Sequence, residues 1–238
     1  MPGSELKASA RKTMLENAPT IFILSAIFVI ITTVMSELEF RLPGMSTAYD
    51  QLLERLSSAE RPSVLMFIPV IRPGGAILSV VLLFITPVVE IGYMNFCLNM
   101  ERGSKCDYKD ILDGFMFFGK TILMFIMMFI FTFLWSLLLI FPGIAAYYRY
   151  RQAYYILLDS PDKSVMTCIR ESKQLMAGNK LDLFLVDFSF LGWTILNMFV
   201  MMIIPVPFSL PIVSIWIAPY RGLTCAAFYN KLVSRVSY

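Results

Sequence analysis

Histidine is absent from all 238 residues, which removes imidazole acid–base catalysis, histidine metal ligation and histidine-ligated haem together. Charge is scarce as well: Asp, Glu, Lys and Arg make up 16% of the chain, where a soluble domain carries nearer a quarter. Cysteine is confined to Cys97, Cys106, Cys168 and Cys225, with no CxxC spacing, so neither a disulfide framework nor a thiolate metal site is expected. A Walker A loop, a GxSxG elbow, an HExxH helix and a dinucleotide-binding glycine fingerprint are all missing. With no nucleophile or metal constellation, the expectation is a protein that is not an enzyme and uses no cofactor. The net charge is only +3, and no nucleic-acid partner is expected.

What the chain has in abundance is apolar surface. Hydrophobic residues fill 58% of positions and the mean hydropathy is +0.70, so lipid is the solvent for most of it. Apolar runs of spanning character cover about residues 18–36, 75–98, 121–141, 144–158, 181–204 and 212–229. The first is too long for a signal peptide and lacks a clear cleavage site, so it is read as a retained span. The fold class expected is therefore all-α: one polytopic membrane domain over 1–238, with six transmembrane helices paired as three hairpins and flanked by cytoplasmic amphipathic helices.

The segments between the spans are polar. In the outer loop 37–74, Tyr49, Leu52, Leu53 and Leu56 share one side of a helix opposite Asp50, Glu54 and Arg55, which suits an in-plane amphipathic helix. Residues 63–71 are apolar but too short to span, and read as an interfacial or re-entrant lead-in. Ile111, Leu112, Phe115 and Phe118 stripe a second amphipathic helix, and residues 163–176 form a third. A tight turn is expected at Pro142-Gly143. The outer segments hold only Arg41, Arg55, Arg61 and Arg72, while every other Lys and Arg falls on the opposite side. The positive-inside rule then puts both termini in the cytoplasm. All four cysteines lie near that same reducing side.

A short internal echo accompanies this layout. Residues 11–17 and 173–179 line up, each ending in Asn and leading straight into a span, with a poorer middle copy near Leu112. It predicts three units, each an in-plane helix followed by a transmembrane hairpin.

Charges inside the apolar runs are the candidates for function. Glu90, Arg149, Arg151, Asp187 and Arg221 lie at similar distances from the inner ends of their spans, within about one or two helical turns of a common depth. They form a candidate buried charge layer. Tyr148, Gln152 and Tyr155 fill the arc between the two arginines and are its candidate polar lining. At ~100° per residue Arg149 and Arg151 point about 160° apart, so pairs of Arg149 with Glu90 and of Arg151 with Asp187 are expected, with Arg221 able to replace either arginine. Buried ions often serve only to hold helices in register, yet intramembrane charges are functional candidates by default. Ser214, Ala218, Gly222 and Ala226 recur every four residues in the last span, which allows another helix of the chain to approach closely. Asp107, Asp110 and Asp113 could present carboxylates to Mg²⁺, but beside Lys105 and Lys109 they read better as a solvated face.

Phe141-Pro-Gly, Tyr148-Arg-Tyr150, Asp159-Ser-Pro161, the run from Glu171 to Gly178, the run from Phe188 to Trp193, and Ala218-Pro-Tyr220 through Phe228-Tyr229 occur in this order. From about Asp110 to Tyr229 the chain resembles the bacterial six-span membrane family known as domain of unknown function number 975. That resemblance implies a multi-pass protein of a bacterial cytoplasmic membrane, and it transfers no catalytic residue. The alternation of amphipathic helices with hairpins is also similar to the membrane domain attached to some glycerophosphodiester phosphodiesterases, a likeness of fold alone. Two functions remain open. The first is a lipid- or amphiphile-binding or accessory membrane protein, with lipids and a membrane complex as partners. The alternative is a small-solute or proton-coupled transporter using the charge layer.

Overall fold

The computed structural model describes residues 3–41, 73–104, 108–203 and 212–236, and every regular element among them is helical. The outer-loop readings at 46–60 and 63–71, and the turn at 205–211, lie outside the described residues. Contacts divide the chain into one unit of Met1–Val29 with Pro87–Tyr238 and a second of Ile30–Thr86.

The first unit opens with α1 (Gly3–Glu16), a short helix that buries Leu6, Ala10 and Met14 at a four-residue interval. This stripe packs on α9 (Ile212–Val236), and a Lys231–Glu5 ion pair closes the contact. Between them run α2 (Thr20–Arg41) and α3 (Pro73–Glu101), a 3-10 helix over Tyr108–Phe117, α4 (Phe118–Leu138), α5 (Ile140–Tyr150), α6 (Ala153–Asp159), α7 (Val165–Leu175) and α8 (Lys180–Ile203). The described part of the second unit is residues 30–41 of α2 and 73–86 of α3. There Met35 and Leu82 are buried, while Ile31, Val34, Ile77 and Val80 are exposed.

Among the described residues, four helices are long and apolar enough to cross a membrane: Thr20–Leu38, Ile77–Glu101, Gly114–Leu138 and Lys180–Val200. They coincide with four of the six expected spans. The expected span at 144–158 is not one helix. α5 stops at Tyr150, Arg151 and Gln152 form a turn, and α6 restarts at Ala153. The expected span at 212–229 lies within α9, which carries Pro219 and Arg221 in its interior.

The turn expected at Pro142-Gly143 sits three residues earlier. Leu139 alone is extended (φ −164, ψ 153) between α4 and α5. Pro142 instead occupies the first turn of α5, where a missing N–H leaves no rung unmade. Gly143 is pressed onto α4: a Cβ there would lie 2.9 Å from the Ser136 Cα. Around this corner Leu137, Ile140 and Phe141 are each more than three-quarters exposed, at 77%, 76% and 84%, a surface suited to lipid rather than water.

Of the expected amphipathic helices, 163–176 appears as α7. Ser164 caps it, its Oγ accepting from the Thr167 N–H at 3.3 Å. Val165, Cys168, Ile169 and Ser172 form the buried face, while Arg170 and Lys173 stay exposed. The stripe around residue 112 is wound as a 3-10 helix, with Leu112, Phe115 and Phe118 exposed. Its Gly114 touches the backbone of α3, since a Cβ there would sit 2.3 Å from the Val88 carbonyl oxygen. The small-residue seam of α9 does meet a helix of the same chain. Ala226 is fully buried, and a Cβ on Gly222 would fall 2.6 Å from Cys97 Sγ on α3.

The internal echo has a physical counterpart at two junctions. Asn17 donates its side-chain amide to the Thr13 carbonyl at 2.8 Å, and Asn179 donates to Leu175 at 3.4 Å. Each also accepts, through its own carbonyl, from an N–H four residues on, Ile21 at 3.2 Å and Leu183 at 3.3 Å. One asparagine thus ties the end of an in-plane helix to the start of an apolar one.

Candidate functional site

The α5–α6 break sets the geometry of the site. Arg151 (φ −58, ψ −30) and Gln152 (φ −76, ψ −8) keep helical backbone angles without continuing the helix, so α6 remains connected to α5 while the Arg151 side chain reaches sideways. Its guanidinium donates to the Asp187 carboxylate on α8 and approaches Cys225 Sγ on α9 at 3.5 Å, beside the Tyr147 ring at 5.9 Å. Asp187 uses its other oxygen to accept from Arg221 at 3.4 Å. One carboxylate therefore joins three elements. The side chains of Arg151 and Asp187 are only 17% and 12% exposed, whereas that of Arg221 is 51% exposed, so the inner pair is the strong one.

Glu90, expected in the buried layer, is exposed and makes no ion pair with a described residue. The expected Arg151–Asp187 pair is present, and the expected Arg149–Glu90 pair is not. The angular argument explains both outcomes. With about 160° between them, Arg151 turns toward α8 and α9, and Arg149 cannot join the same layer.

Arg149 lines a groove instead. Its walls are Trp135 of α4, Pro142, Ala145, Ala146 and Arg149 of α5, and Lys180 at the start of α8, around a free volume of about 140 Å³. Pro142, Ala145, Ala146 and Arg149 follow the spacing i, i+3, i+4, i+7 and so share one helix face. The groove is apolar along Trp135, Pro142 and the two alanines, and cationic where Arg149 and Lys180 converge. Neither cation forms an ion pair with a described residue. The Arg149 backbone is fixed from behind, its carbonyl accepting from Ser172 Oγ of α7 at 2.9 Å.

The proposed lining residues go elsewhere. Tyr148 packs edge-on against Tyr147 and Phe184, at 5.2 and 5.8 Å between ring centres, and faces Asp187. Tyr155 is buried and stacked on Tyr229 at 5.0 Å. Gln152 is 1% exposed, and its Oε1 has no hydrogen-bond partner among the described residues. None of the three borders the Arg149 groove.

A second polar cluster closes one end of the bundle. Arg102, just beyond α3, grips Asp159 at the end of α6 with two hydrogen bonds of 2.6 and 3.0 Å, and donates to Asn230 of α9 at 2.9 Å. Tyr229 adds a bond to Asp159 at 2.7 Å. Burial pushes the Asp159 carboxyl up, but the bonds from Arg102 and Tyr229 outweigh it and hold it below the ordinary carboxylate value. This latch joins α3, α6 and α9. In the sequence Arg102 reads only as one of the cytoplasmic cations that suit an anionic leaflet.

With this geometry established, the family comparison adds one result. Residues 137–236 match the model of a family described as "Protein of unknown function (DUF975)". The matched segment runs from the end of α4 through α9, so it contains the α5–α6 break, Arg149, Arg151, Lys180, Asp187 and Arg221; Trp135, Glu90 and Arg102 lie before it. It begins later than the resemblance read from about Asp110. No curated protein and no solved structure matches the chain.

Proposed function

We propose that this protein is a non-enzymatic membrane protein that holds an anionic amphiphile in the groove between α4, α5 and the start of α8. The observation that carries this reading is that Arg149 and Lys180, neither paired with a described carboxylate, both line one otherwise apolar groove. Intramembrane cations of a bundle are ordinarily answered by an acid or by a ligand. Here Arg151 is answered by Asp187, and Arg149 is left for a ligand. A free volume of about 140 Å³ is well below the ~300–1,000 Å³ of sites that enclose a whole small molecule. It suits a headgroup and the first part of a chain, with the remainder staying in lipid.

In this reading the chain crosses a bacterial cytoplasmic membrane six times as three hairpins, with α5 and α6 together forming the fourth crossing and α9 the sixth. Both termini lie in the cytoplasm, and the exposed Arg170 and Lys173 of α7 face the anionic leaflet. The sharing of Asp187 by Arg151 and Arg221 supports a role for the charge layer in holding helices in register, and gives little support to a transport path through it.

The test is to purify the wild type and Arg149→Gln in mild detergent and identify the retained lipids by mass spectrometry. Enrichment of an anionic amphiphile over the bulk membrane, lost in the variant, is the expected result. Bulk composition in both proteins would reject the proposal.

A further inference from the structure

We infer that the headgroup held by Arg149 and Lys180 is a phosphate monoester carried on a lipid, rather than a phosphodiester or a zwitterionic headgroup. This rests on the amphiphile reading above and specifies its ligand. Arg102 is paired with Asp159, Arg151 and Arg221 with Asp187, Lys163 with Glu171, and Lys231 with Glu5. Arg11, Arg170, Lys173 and Arg235 make no ion pair with a described residue, but each stands exposed on a helix face. Lys7 and Lys120 are half-buried too, but Lys7 sits over the Phe190 ring and Lys120 donates to the Pro161 carbonyl. Arg149 and Lys180 are half-buried and border one small groove.

Two positive charges with no described acid partner in one partly covered groove call for a ligand with about two negative charges. A phosphate monoester carries about −1.5 to −2 near neutral pH, whereas a phosphodiester carries one. The chemistry of the two donors fits the same group. A guanidinium fork takes two oxygens of a phosphate, and an ammonium on a flexible stem takes a third.

The remaining walls identify the source as lipid rather than a soluble phosphate. From Arg149 the groove runs back along α5 to Ala146, Ala145 and Pro142, with Trp135 opposite. Seven residues of helix separate Arg149 from Pro142, about 10 Å at ~1.5 Å per residue. A chain leaving the phosphate would lie against this apolar strip and continue past the exposed Leu137 and Phe141.

The experiment uses the full chain in nanodiscs of phosphatidylcholine, titrated in parallel with phosphatidic acid and phosphatidylglycerol, with binding read by native mass spectrometry and inorganic phosphate as a soluble competitor. Phosphatidic acid is expected to bind about tenfold more tightly than phosphatidylglycerol, the scale of one additional charge-assisted contact. Arg149→Gln and Lys180→Gln should each erase that preference. Ala145→Leu, which fills the apolar strip without touching charge, should weaken both lipids alike. Equal binding of the two anionic lipids would overturn the monoester inference while leaving the amphiphile reading intact. Displacement by inorganic phosphate at lipid-equivalent concentration would also overturn it, by moving the source to solution. If neither anionic lipid binds better than phosphatidylcholine, both readings fall.

Discussion

Arg149, in the last turn of α5, and Arg151, in the turn that follows it, stand two residues apart and occupy opposite electrostatic settings. Arg151 reaches a carboxylate that is itself shared with Arg221, so the layer across α5, α8 and α9 is closed upon itself. Arg149, turned toward α4, borders a groove with Lys180 and meets no described acid. The contrast teaches that an intramembrane arginine is not one kind of feature. Where the bundle provides the counter-charge, the residue holds the fold together; where it does not, the charge is left for something the bundle lacks.

The largest expected effect comes from breaking the closed layer. Asp187→Asn leaves Arg151 without its counter-charge in a covered site and should cost about 3–5 kcal/mol, read as a large fall in thermal midpoint in detergent. The two arginines of the layer should then separate. Arg151→Gln should destabilise strongly, because its partner stays behind nearly buried. Arg221→Gln, half-exposed and at 3.4 Å, should cost under about 1 kcal/mol. A loss from Arg221→Gln as large as that from Arg151→Gln would remove the distinction between an inner and an outer pair.

Most of the fold was legible in the sequence, because apolar run length is a strong signal when lipid is the solvent. The four helices of spanning character sit where hydropathy put them, and α7 lies on its predicted stripe. The α4–α5 turn was misplaced because Pro-Gly reads as a turn, whereas proline is equally at home in the first turn of a helix. The break at Arg151-Gln152 carries no glycine or proline to announce it. Helical angle arithmetic correctly separated the two arginines but could not say which neighbour each would meet. It predicted the Asp187 partner for Arg151 and assigned Glu90 wrongly to Arg149. The groove itself had a visible mark, a proline and two alanines leading to an arginine at i, i+3, i+4 and i+7. That mark acquires meaning only when Trp135 and Lys180, distant in sequence, arrive opposite it.

Smaller effects should sharpen the contrast from the groove's side. Lys180→Gln should leave stability within about 0.5 kcal/mol of wild type while reducing retained lipid, since Lys180 pairs with no described acid. The latch at Asp159 gives the mildest and most condition-dependent effect. Its carboxyl is held below its ordinary value in the folded chain. The stability it contributes is therefore present above the unfolded carboxylate value and lost as pH falls through the folded one. Asp159→Asn should flatten the acid limb of a stability–pH profile and leave lipid content unchanged.

The most direct test of the central claim sets one variant from each region side by side: retained lipid in Arg149→Gln against Arg221→Gln, purified identically and measured by native mass spectrometry. The account predicts that Arg149→Gln loses its bound anionic lipid and that Arg221→Gln keeps it. Equal retention in both, or equal loss from both, would contradict the separation of a closed charge layer from an open cationic groove.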